Sequence, residues 1–263
     1  VKLKKFYLSL ILFFLYAPIC VLIIYSFNAN RIGNTWGGFT FHWYTQLIGD
    51  RNIMRALQNT ISIGLISAGI STIIGTLAAV SINNMKKNTR KIILSVSSLP
   101  VATPDIVIGV SLMVLYVSFF RLTGGGRFGF GTLLLSHIAF SVPYVILTVL
   151  PRFKHMNGYI YEAALDLGAN PVQAFIKAVV PQLIPGIVTG FLLAFTMSID
   201  DFIVSFFTTG GGVSNLSLII FSMARRGVNP TINALSTIMF IAVMLLLFII
   251  NLRDTRKIKG DLT

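Results

Sequence analysis

Residues 6–27 run from Phe6 to Phe27 without a charged side chain, directly after Lys2, Lys4 and Lys5. Crossing the hydrocarbon core of a bilayer as a helix takes roughly 20 apolar residues. In lipid only a helix or a closed barrel satisfies its own backbone polar groups. Comparable apolar runs recur at about 57–82, 92–120, 132–150, 183–209 and 231–252. The expected fold is therefore all-α, a polytopic membrane protein with six transmembrane helices in a single domain over 1–263. The balance of residues agrees: 55% are hydrophobic and 11% charged, against about 25% charged in a soluble domain. A cleaved signal peptide is the rival reading of the first run. That run exceeds an apolar signal core of about 7–15 residues, and Ser26-Phe27-Asn28 is a poor cleavage site. The run at 92–120 contains Pro100 and Pro104 and is longer than a straight span needs. Its part before Pro100 is expected to lie partly outside the core. The stretch 216–224 is too short to span and is expected to be re-entrant or interfacial.

The formal net charge of +13 would point a soluble protein toward nucleic acid. Here its distribution has another cause. Six spans place both ends on one side. With that side cytoplasmic, fourteen Lys and Arg fall inside and seven fall outside (Arg31, Arg51, Arg55, Arg121, Arg127, Arg225 and Arg226). That excess obeys the positive-inside rule, and the opposite topology violates it. Cys20 is the single cysteine, so no intramolecular disulfide forms, and no Cys/His cluster is spaced for zinc. His42, His137 and His155 are isolated and read as structural. Trp43 and Tyr44 in the outer segment 36–48 fit an interfacial belt; docking of a partner protein is the alternative.

The polar break at 151–180 holds Glu162, the only glutamate. Asn157 can cap a helix over about 158–167, with Gly168 just past its end. Asn170 can cap a second helix with Pro171 in its first turn, and Pro181 should end it. Glu162 and Asp166 then share a face, and Ala163, Ala164 and Gly168 leave room for a close surface. An ordinary polar linker would need less structure. The stretch Glu162-Ala163-Ala164, then Gly168, then Ala178, Val180 and Pro181 resembles the EAA loop of ABC importer permeases. Ala178 and Val180 replace that pattern's isoleucine and leucine. The resemblance implies a type I ABC importer fold with a cytoplasmic coupling helix at 151–180. It assigns Glu162, Ala163, Ala164, Asp166, Gly168 and Pro181 to docking on a separate ATPase. That subunit would bind ATP and Mg, since no glycine here precedes a lysine as a phosphate loop requires. This chain is then not itself an enzyme and holds no cofactor or metal.

Three acidic residues interrupt apolar runs. Asp105 follows Thr103-Pro104 and can sit in the first turn of a helix. Asp200 and Asp201 break the fifth run. A charge near mid-bilayer costs about 2.5–3.5 kcal/mol on insertion scales, so either one of them faces protein or water, or both lie at the outer interface. The stretches "YAPICVLIIYSFNANR", "PDIVIGVSLMVLY", "SIDDFIVSFFTTG" and "NALSTI" resemble the PotC-type membrane subunit of spermidine/putrescine ABC importers. That resemblance implies a polyamine path touching Asp105, Asp200, Asp201 and Tyr16. It also implies a second permease subunit, an ATPase dimer and an extracytoplasmic polyamine-binding protein, all at a bacterial cytoplasmic membrane. Rival readings are a permease for another small solute (iron, opine or amino-acid-like) and a secondary transporter.

Orientation is testable directly. Asn88→Cys and Ile258→Cys are expected to be protected from impermeant thiol reagents in intact cells, and Gly125→Cys to label. Labelling at 88 would reverse the topology.

Overall fold

A computed structural model describes residues 2–31, 35–154, 156–227 and 230–260, with side chains over 6–31, 35–154, 156–227 and 230–245. His155 lies outside the described residues. The described residues are almost wholly helical, with one isolated antiparallel bridge, Asn28 to Phe39. Five helical stretches are long and apolar enough to cross a membrane: Phe6–Tyr25, Arg51–Asn83, Asp105–Thr123, Phe130–Lys154 and Pro171–Asp200. Pro230–Leu245 is a shorter apolar stretch at the place of the sixth. The chain groups into two compact units, Val1–Leu57 with Leu218–Thr263, and Gln58–Ser217.

In the first unit, α1 (Lys2–Tyr25) and α2 (His42–Gly49) pack on α12 (Pro230–Gly260). The connection from α1 to α2 is held by polar anchors. The buried Asn28 side chain accepts from the Asn30 and Gly37 amides and donates to the Thr35 carbonyl. Trp43 donates its indole N–H to the Asn28 carbonyl at 2.7 Å and is only 6% exposed. Tyr44 hydrogen-bonds Ser26 at 2.6 Å, and Phe27 stacks on Phe39. This corrects the belt reading for Trp43. An indole with an internal acceptor has no need of the interface, and the rings left exposed are Trp36, Phe39 and Phe41.

In the second unit, α3 (Arg51–Asn83, from residue 58 on) is followed by α4 (Lys87–Ala102), α5 (Asp105–Thr123) and α6 (Phe130–Val149). A 3₁₀ turn (Leu150–Lys154) leads to α7 (Ile160–Asp166), then α8 (Pro171–Ala174), a π turn (Phe175–Val179) and α9 (Val180–Asp200). The short α10 (Ile203–Thr208) follows, and the nine-residue α11 (Leu216–Ala224) starts at the end of this unit, with its residues from Leu218 on assigned to the first. The core joins Ala68, Ala79 and Ile82 of α3, Val145, Ile146 and Val149 of α6, and Ala194 of α9. Small residues let these backbones approach, the usual basis of helix packing where lipid removes the hydrophobic drive between helices. A Cβ on Gly75 would lie 2.7 Å from Val145 Cβ, and one on Gly190 would lie 2.7 Å from Thr148 Oγ1.

Three expected boundaries are corrected. The run 92–120 is two helices, because Pro104 forces Thr103 into an extended conformation (ψ 140°). The run 183–209 stops as a helix at Asp200, with Asp201 extended (ψ 121°). The second helix of the polar break does not end before Pro181. It continues through the π turn into α9, where Pro181 falls in the first turn and its missing N–H costs little.

Gly75→Ala places a methyl against the backbone-anchored Val145. Overpacking of this kind costs about 1–3 kcal/mol. The melting temperature of the detergent-solubilised protein is expected to fall, whereas Gly69→Ala in the same helix, where a Cβ meets nothing within 4 Å, is expected to leave it unchanged. Wild-type melting of Gly75→Ala would show that this approach is not tight.

Candidate functional site

The polar turn forms as the caps dictate. Asn157 Oδ1 accepts from the Tyr159 amide, and α7 begins at Ile160, slightly later than expected. At its other end Gly168 has φ +87°, the Gly168 amide bonds the Leu165 carbonyl, and the Ala169 amide bonds that of Ala164. These two bonds close a Schellman motif, which needs the left-handed glycine. Asn170 and Gln173 then cap α8 reciprocally: the Gln173 amide donates to Asn170 Oδ1, and the Asn170 amide to Gln173 Oε1. Glu162, Ala163 and Asp166 are exposed, and Ala164 is half-buried. Large apolar side chains stand beside them: Leu167 is 89% exposed, and Tyr159, Val172 and Ile176 are also largely exposed. Four large apolar side chains exposed around one polar turn are more than a solvated linker needs. From Pro171 the helix runs 30 residues to Asp200, so the turn and the α9–α10 break are the two ends of one stretch.

At the α4–α5 break, Asp105 opens α5 as expected and is exposed. Thr103 does not cap α5; its hydroxyl bonds back to the Leu99 carbonyl and closes α4. Beside the break lies a mostly apolar cleft of about 380 Å³, lined by Leu99, Pro100, Thr103, Val107 and Phe140 among others. Broken helices at membrane depth are tolerated where they line a cavity or are buried in protein.

The α9–α10 break is closed differently. Asp200 is the last residue of α9 and is exposed. The Asp201 side chain is only 5% exposed. Its Oδ1 accepts from the Val204 amide at 3.1 Å, and its Oδ2 from the Ser205 amide at 2.7 Å and the Ser205 hydroxyl at 2.8 Å. The carboxylate thus satisfies the free amides at the start of α10. His137 of α6, 1% exposed, bonds Ser205 Oγ through Nε2 at 2.9 Å and Ser198 Oγ through Nδ1 at 2.5 Å. Asn215 Nδ2 donates to Ser205 Oγ at 2.7 Å. His137, Ser198, Ser205 and Asn215 were not legible as a group in the sequence. They come from three elements and a loop, and only the Ser198/Asp201/Ser205 spacing hints at them. Tyr16 lies on α1 in the other unit and is exposed. Among the described residues no three His, Cys, Asp or Glu side chains gather as metal ligands.

Residues 71–255 match the family of binding-protein-dependent transport system inner membrane components. The chain is 36% identical to the spermidine/putrescine transport system permease protein PotC of Escherichia coli K12, covering 97% of this chain and 95% of that protein. It is also 36% identical to the putrescine transport system permease protein PotI of the same organism, over 90% of this chain and 85% of that one. A crystal structure of a bacterial alginate ABC transporter in complex with an alginate pentasaccharide-bound periplasmic protein shares its fold, with a TM-score of 0.70 at 17% identity, covering 97% and 94% of the two chains.

Gly168→Val is expected to open the turn between α7 and α8, since a β-branched residue resists positive φ. Limited proteolysis of membranes should then cut within 159–176, while Gly168→Asn, which tolerates that conformation, should stay resistant. Equal resistance of both variants would show that the turn does not depend on the left-handed residue.

Proposed function

Because the chain belongs to the family of binding-protein-dependent transport system inner membrane components, we propose that it is the permease subunit of an ATP-driven importer whose cargo is a polyamine, spermidine or putrescine. The observation that carries the cargo is the near-full-length likeness to permeases of that name. The site is compatible in charge. Asp105 and Asp200, both exposed, each mark a break in the helices. A polyamine presents ammonium groups spaced along an aliphatic stem. Carboxylates at separate points, with apolar and aromatic surface between them, suit it better than one tight site.

Work reaches the path from outside the chain. In this reading the whole of 1–263 acts as one permease domain beside a second related permease, with both termini cytoplasmic. An ATPase dimer binds ATP and Mg, and an extracytoplasmic binding protein delivers cargo. The exposed face of Glu162, Ala163, Asp166 and Leu167 enters a cleft on the ATPase. Thirty residues of continuous helix from Pro171 span about 45 Å, so a push on the turn arrives at Asp200 without crossing a loop. The π turn lets the stretch carry Pro181 without a break.

Two measurements test this reading in cells carrying the partner subunits. Glu162→Ala and Leu167→Asp are expected to stay in the membrane but to lose ATPase on co-purification. Asp105→Asn, at matched expression, is expected to lower spermidine uptake at limiting substrate about tenfold, the worth of one hydrogen bond to a charged group. Wild-type co-purification and uptake would remove both assignments.

A further inference from the structure

We infer that the two adjacent carboxylates at the α9–α10 break do different work: Asp201 is a positioning residue, locked with His137 into a buried clamp that holds α10, and Asp200 alone is left to meet a cationic cargo. The second half rests on the polyamine reading above; the first does not.

The hydrogen bonds of the clamp have one consistent direction. Asp201 can only accept, and all three groups hydrogen-bonded to its carboxylate donate: the Val204 amide, the Ser205 amide and the Ser205 hydroxyl. The Ser205 proton is thereby committed. Its oxygen must then receive, and it does so from Asn215 Nδ2 and from His137 Nε2. That choice places the ring proton on Nε2 and leaves Nδ1 bare to accept from the Ser198 hydroxyl. Behind Ser198 stands the Ser67 hydroxyl of α3, which reaches both the Ser198 oxygen and the Gly64 carbonyl. Donors therefore run from α3 through α9 and α6 to α10 and end on one carboxylate. Such a network is worth keeping only when every member is satisfied.

Asp201 therefore has little left to offer a cargo. An ammonium group would have to displace the amides that begin α10. Asp200 is in the opposite situation. It is exposed at the C-terminal residue of a 21-residue helix, where the helix dipole disfavours a negative charge. A passing cation relieves that repulsion and costs no hydrogen bond of the fold. Asparagine separates the two roles. At 200 it removes charge only. At 201 its amide sets a donor against one of three donors, and any adjustment by Ser205 strips His137 of its acceptor.

The test uses the complete complex, with partner permease and ATPase, in detergent for melting and in proteoliposomes with the binding protein and spermidine for uptake. Asp201→Asn, His137→Ala and Ser205→Ala are each expected to lower the melting temperature by about 3–8 °C. Below melting they should lower the maximal uptake rate and leave the half-saturating spermidine concentration unchanged. The double variant Asp201→Asn/His137→Ala should lose less than the sum of the two, because both sit in one network. Asp200→Asn should melt within about 1 °C of wild type and raise the half-saturating concentration. Where Asp201→Asn does not accumulate, Ser205→Ala and Ser198→Ala carry the melting test. The clamp is overturned if His137→Ala and Ser205→Ala melt as wild type, or if Asp201→Asn behaves as Asp200→Asn does. If the clamp variants melt early while Asp200→Asn transports normally, the clamp stands and the cargo contact at Asp200 falls.

Discussion

A helix broken inside a membrane frees amides and carbonyls that no water is present to bond, and each costs several kcal/mol if left alone. Two of the chain's long apolar runs are broken in this way, and the arrangement of the second unit follows from how each break is closed. At the first, the chain spends little: Pro104 has no amide to satisfy, and the Thr103 hydroxyl folds back onto α4. At the second, it spends a carboxylate. Asp201 takes the amides of Val204 and Ser205, and His137, Ser198, Ser205 and Asn215 close around it.

This expenditure explains where the rest of the unit must stand. His137 can reach Ser205 only if α6 lies against α10, and it can reach Ser198 only if α6 lies against α9. Gly186, Gly190 and Ala194 let α9 approach α6, and Gly75 lets α3 approach α6 from another side. The polar clamp and the small-residue packing are thus two sides of one solution. The packing brings three backbones close, and the clamp defines which register they keep.

Continuity of the helix from Pro171 to Asp200 links this clamp to the polar turn. An unbroken helix transmits displacement along its axis with little loss. A helix that stopped before Pro181 would instead have put a joint between the polar turn and the α9–α10 break. The π turn at Phe175–Val179 is the feature that removes the joint. Its extra residue per turn carries the chain to Pro181 as a first-turn residue of α9.

Much of this was legible in residue order. Apolar length against bilayer thickness yields the spans, and Thr103-Pro104-Asp105 yields the start of α5. Gly168, Asn170 and Pro171 yield the turn, because each owes its place to local φ/ψ preference and to a donor within three or four positions. Three features were not legible: the end of the fifth helix at Asp200, the passage through Pro181, and the burial of Trp43. Each depends on partners distant in the chain or on a hydrogen-bond pattern that shifts by one residue. The difference between Asp200 and Asp201 is the sharpest case. Residue order presents two identical carboxylates side by side, and nothing local distinguishes them. Only the tertiary structure decides, because His137 lies 64 positions away and only folding turns one of the pair toward it, leaving the other exposed.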